Sequence, residues 1–94
     1  MTSTIQKQYI IGTVSTGAIT VPSDGVTGSL SVDASKNGYT PIGIIGCNKK
    51  GGASGYCIVT VFYINGNDIS YQVRNTINTQ ATPTITFYVL YERS

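Results

Sequence analysis

Residues 56–75 read YCIVTVFYINGNDISYQVRN, two runs of β-branched and aromatic residues at period two on either side of Asn65-Gly66. Runs of this kind predict strands. Asn-Gly between them predicts a hairpin, because a type I′ turn needs positive φ at both central residues and this pair tolerates it best. The turn sets a register. With Ile64 opposite Asn67, Phe62 faces Ile69, Thr60 faces Tyr71 and Ile58 faces Val73, a continuous apolar face. On the other face Asp68, Ser70, Gln72 and Arg74 lie opposite Tyr63, Val61, Val59 and Cys57. The second strand is therefore amphipathic, while the first is apolar on both sides.

Extended backwards, the same logic closes a second hairpin at the glycine-rich loop 51–55 and places Cys47 opposite Cys57 and Ile45 opposite Val59. Ile42 and Ile44 then join the core face. The other face collects Ile45, Cys47, Cys57, Val59, Val61 and Tyr63, an apolar patch of the sort that marks an interface when nothing covers it. Ile45, Val59, Val61 and Tyr63 are thus candidates for contact between copies of the chain. The alternative is that the chain's own second sheet covers the patch. Two cysteines at opposed strand positions come close to disulfide geometry; buried free thiols are the equal alternative for Cys47 and Cys57.

Outside this region, strands are expected at 8–14, 18–21, 28–33, 42–48 and 84–92, beside 56–64 and 68–75, with loops at 22–25, 36–38 and 51–55. No window shows the 3.6-residue period of an amphipathic helix. Short strands at this spacing predict one all-β domain, an antiparallel sandwich or barrel of about seven short strands spanning 1–94. A chain of 94 residues buries only about 60 to 70% of its unfolded surface, so oligomerisation is a natural supplement to its stability.

Charged residues make up 11% of the chain, against roughly one quarter in ordinary soluble domains. The net charge of +2 is scattered, and only Lys49 and Lys50 are adjacent, which excludes a clustered nucleic-acid footprint. With no histidine, Ser-His-Asp and Cys-His catalysis and His-rich zinc sites are excluded. The carboxylates Asp24, Asp33, Asp68 and Glu92 sit at turns or strand ends, and a hydrolase would need two of them about 5 to 9.5 Å apart across a cleft. No calcium-loop or phosphate-loop spacing is present, so neither metal nor cofactor is expected. Residues 1–10 lack an apolar signal core, and the longest charge-free runs are broken by Gly, Asn and Pro, so neither a secretory signal nor membrane insertion is expected.

Of the seven tyrosines, Tyr71, Tyr88 and Tyr91 suit the core or an interface, because strands favour aromatics, while Tyr39 and Tyr56, near turns, are better placed to meet a ligand at one end of a sandwich. Tyr56, near a turn, with Asn48, Lys49, Lys50, Gln72 and Arg74, is the candidate ligand surface, since sugar rings stack on aromatic faces while amides and cations satisfy hydroxyls.

The runs GYTPIGIIG (38–46), DISYQVRN (68–75) and ATPTITFYVLYE (81–92) resemble C-terminal domains of tail and receptor-binding proteins from phages and prophages of Gram-positive bacteria. The resemblance extends over more than half the chain. It implies a β-sandwich or jelly-roll head, commonly trimeric, on the virion tail or surface, that recognises a cell-surface saccharide. The stalk that usually precedes such heads has no counterpart before Tyr9, which suggests a small free-standing tail or decoration protein or an excised domain. A structural module that binds only other virion proteins is the second expectation; a hydrolase using a carboxylate pair is the third.

Overall fold

The computed structural model describes residues 8–94, so the part of the signal-peptide reading that rests on 1–7 lies outside the described residues. Six strands form: β1 (Tyr9–Ala18), β2 (Leu30–Asp33), β3 (Tyr39–Lys50), β4 (Cys57–Asn65), β5 (Asp68–Asn75) and β6 (Thr84–Arg93). They make two antiparallel three-stranded sheets, ordered β1-β6-β3 and β2-β5-β4, packed as a sandwich. The outermost strands in sequence pair first, β1 with β6 and β2 with β5, around the β4–β5 hairpin. This is a long hairpin folded over on itself, the winding of a jelly roll, with six strands where the usual one has eight.

The centre strands carry the core. Every second residue of β6, from Ile85 through Phe87 and Val89 to Tyr91, is buried, and so is every second residue of β5 from Ile69 to Asn75. The rings of Tyr71 and Phe62 lean on Phe87 with centroids 5.4 and 6.2 Å away, tying the two sheets together. Asn75 is the polar member of the buried row on β5. Its amide donates to the carbonyls of Thr79 (2.7 Å) and Pro22 (3.3 Å) and accepts from the Ile77 N–H (3.1 Å), so it organises the loops at that end.

The expected segment 18–21 is not a separate strand. Gly17, with φ 72°, breaks the β1 ladder between Ser15 and Ala18. The chain then continues beside the approach to β6, through Ile19 N–H to Pro83 O (2.9 Å) and a bridge between Val21 and Ala81.

Three expectations about β3 and β4 are corrected. The hairpin turn is centred on Gly66-Asn67, closed by Asn65 opposite Asp68, and Gly66 takes φ 65°. Glycine at the first central position is what a type II′ turn requires, and it leaves Asn65 in the strand. Phe62 therefore faces Tyr71 and Ile64 faces Ile69, a shift that preserves which side each residue points to. Thr60 then forms a bulge, Val59 pairing with Val73 and Val61 with Gln72, which turns Cys57 and Val59 into the core.

β3 pairs with β6 instead of β4. The loop expected to close a hairpin holds a 3-10 turn, Ser54–Tyr56, with Ala53 at φ 62°, and carries the chain across to the other sheet. Consequently Cys47 lies opposite Phe87 and Cys57 opposite Asn75, and no disulfide links them: both thiols are free, Cys47 exposed and Cys57 buried. The predicted common face also dissolves. Ile45 is an exposed residue at a β3 bulge in one sheet, Val61 and Tyr63 are exposed on β4 in the other, and Val59 packs against the core.

Candidate binding cleft

A cleft of about 300 Å³ opens at the side of the sandwich where β1 passes β2. Thr13 and Ser15, flanking buried Val14 on the edge strand β1, form one rim. Asp33, at the end of β2, and Ser35 and Lys36 in the turn that follows form the other. Gly12 and Tyr91 complete the lining.

Each part has a local cause. A Cβ on Gly12 would stand 2.9 Å from the Tyr91 ring, so only glycine lets that ring lie against the β1 backbone. The Tyr91 hydroxyl donates to the Ala34 carbonyl at 2.8 Å and pins the turn that carries Asp33 and Ser35. Asp33 accepts from the Ser35 backbone N–H at 2.8 Å, an Asx turn. The Ser35 hydroxyl, and then its N–H, hold the Asp33 carboxyl below the ordinary carboxylate range, so it is anionic at neutral pH. Burial, aided by the Asp33 charge, pushes the Tyr91 phenol up, so it stays a neutral donor.

The arrangement offers an exposed carboxylate acceptor, an ammonium donor and several hydroxyls around a space at the small end of the usual range for ligand pockets. Tyr91 is 3% exposed and gives no open face for stacking. What this lining offers is hydrogen bonding.

The chain matches no protein-family model, no curated protein and no solved structure.

The residues singled out from sequence do not gather at this cleft. Asn48 and Lys50 pair with Thr86 and Thr84 on the outer face of the β1-β6-β3 sheet, while Gln72 and Arg74 alternate with buried residues on the outer face of the other sheet. Lys49 lies opposite buried Ile85, close enough to Cys57 to oppose the upward push that burial gives its thiol. Tyr56 is exposed in the connecting turn, its carbonyl taken by the N–H (3.0 Å) and hydroxyl (2.8 Å) of Thr76. Lys49, Lys50, Tyr56 and Arg74 thus do not make one surface, since Lys50 and Arg74 stand on the outer faces of different sheets. Gln72 instead donates to the Ser29 hydroxyl at 3.3 Å.

Of the carboxylates, Asp33 is brought directly opposite Asp68 by the β2–β5 register. They are neighbours on one strand face, and only Asp33 lines the cleft. Among the described residues no cluster of three or more His, Cys, Asp or Glu forms, and no helix is long and apolar enough to cross a membrane. The sequence reading missed Thr13, Ser15, Asp33, Ser35 and Lys36 as a group. The Asx turn at Asp33 and Ser35 is visible in the local sequence, but its meeting with β1 depends on packing between the two sheets.

Proposed function

We propose that this domain is a non-enzymatic binding module of a phage tail or virion surface, and that it takes a saccharide unit of the host-cell surface in the cleft between β1 and β2. The cleft is the observation that carries the reading: Asp33, held ionised by Ser35, lines a cavity together with Thr13, Ser15, Ser35 and Lys36. A carboxylate acceptor beside hydroxyls and an ammonium complements a polyol, whose hydroxyls donate and accept in turn. The viral setting rests on the resemblance of 38–46, 68–75 and 81–92 to tail-protein heads.

A pull-down on purified Gram-positive cell walls, followed by titration with the released saccharides, tests it. Binding that is saturable and lost in Asp33→Asn, with the fold unchanged by circular dichroism, is the expected result. Absence of binding to any wall, or binding indifferent to Asp33→Asn, removes the saccharide from the reading.

The second reading, a structural module that contacts only other virion proteins, is favoured by the apolar residues left exposed on β4: Ile58, Val61, Phe62 and Tyr63. Retention of a tail protein from disrupted virions, together with silence toward cell walls, would select it.

A further inference from the structure

The three other edge strands of the two sheets each carry something that discourages further pairing. β2 has four residues. β1 contains Gly12 and Gly17 and a bulge, and it borders the charged cleft. β3 contains Pro41, two bulges, and Lys49 and Lys50 at its end. Such features are how sheet edges are kept from joining other chains. The fourth edge, β4, reads CIVTVFYIN over nine residues, with no charge, no glycine and no proline. Among the described residues it is paired on one side only, with β5, and its one irregularity is the bulge at Thr60.

The same strand leaks apolar surface. Ile58, Val61 and Tyr63 are 52, 42 and 54% exposed. Phe62 touches Phe87 in the core and yet is 40% exposed.

We infer that the free edge of β4 pairs with the same edge of a second copy, antiparallel across a two-fold axis, joining two β2-β5-β4 sheets into one. Charge selects both the occupant and the direction. At the start of β4 stand Arg74, opposite Ile58, and Lys49, which acts on Cys57; at its end stands Asp68, opposite Asn65. Antiparallel self-pairing lays the acidic end of each copy toward the basic end of the other, twice, whereas parallel pairing lays like against like. A two-fold contact must be self-complementary, and an uncharged strand between ends of opposite sign meets that requirement. Val61 is the midpoint of β4, so it meets its own symmetry mate. The inference stands apart from the saccharide reading, since the cleft lies between β1 and β2.

Light scattering after size exclusion, over a wide concentration range, tests it. The chain should run at twice its mass of 10.0 kDa. Val61→Lys places two ammonium groups opposite one another and should give a monomer, as should Val61→Glu; mixing the two variants should restore the dimer. Ile11→Lys, on the exposed face of β1, should leave the dimer intact. A wild-type monomer at every concentration, a trimer, a dimer that survives Val61→Lys, or a Lys/Glu mixture that fails to pair would each overturn the inference. Should the Val61 variants not fold, hydrogen exchange of the wild type decides: β4 amides exchange more slowly in concentrated than in dilute solution if the edge is paired, and equally if it is not.

Discussion

Where β1 passes β2, the side of the sandwich is sealed from within by Tyr91 and presents Asp33, Ser35 and Lys36 to water. At the β4 edge, by contrast, what the sandwich presents is Ile58, Val61, Phe62, Tyr63 and the uncharged length of the strand. Both sides belong to the same core and lean on the same centre strands. The difference lies in which residues each edge can leave in water without cost: charged and hydroxyl groups at the first, which suit a polar ligand, and apolar groups at the second, which suit another protein surface.

The largest effect should come from removing what the two sides share. Phe87→Ala takes away the ring on which Tyr71 and Phe62 rest and should cost about 3–5 kcal/mol, read from denaturant unfolding, with both sides loosened together. Tyr91→Phe acts on one side alone. It leaves the buried Ala34 carbonyl without its donor, at about 1–3 kcal/mol, and should raise hydrogen exchange at 33–36 while β4 is unchanged.

Alkaline titration sharpens the same contrast. Burial raises the phenols of Tyr71 and Tyr91 above their unfolded value of about 10, so the stability they contribute is fully present below that pH and is lost as pH rises through the folded values. Tyr91→Phe should remove part of that alkaline loss. Asp33→Asn should have the smallest effect on unfolding, because the carboxyl is fully exposed, while it abolishes saccharide binding. In the unaltered protein, saccharide binding at the cleft should be lost at a lower pH than an unperturbed carboxylate would set, since Ser35 lowers the pKa of the Asp33 carboxyl.

The centre strands were legible in the sequence because β5 and β6 bury every second residue without interruption, and period two is all that such a strand has to declare. The edges were not. A single bulge at Thr60 reverses which residues of β4 face inward, and the period-two pattern of the sequence does not announce it. Gly51-Gly52-Ala53-Ser54-Gly55 reads like a hairpin loop, yet the N–H of Thr82 reaches the Gly52 carbonyl (2.9 Å), fastening the loop to the approach to β6 and sending the chain between sheets. The cleft was hidden for a similar reason: Thr13 and Asp33 belong to different sheets, and no spacing along the chain announces that they meet.

The ladder joining Tyr9 to Glu92 spans nearly the whole chain, whereas β4 and β5 meet across a two-residue turn. That contrast sets an order of events in time. The hairpin at Gly66 closes at little entropic expense, and the β1–β6 ladder can be rewarded only after its two distant segments have found each other. A chain built this way should refold slowly for its size, over about milliseconds to seconds, with the β4–β5 hairpin as its nucleus.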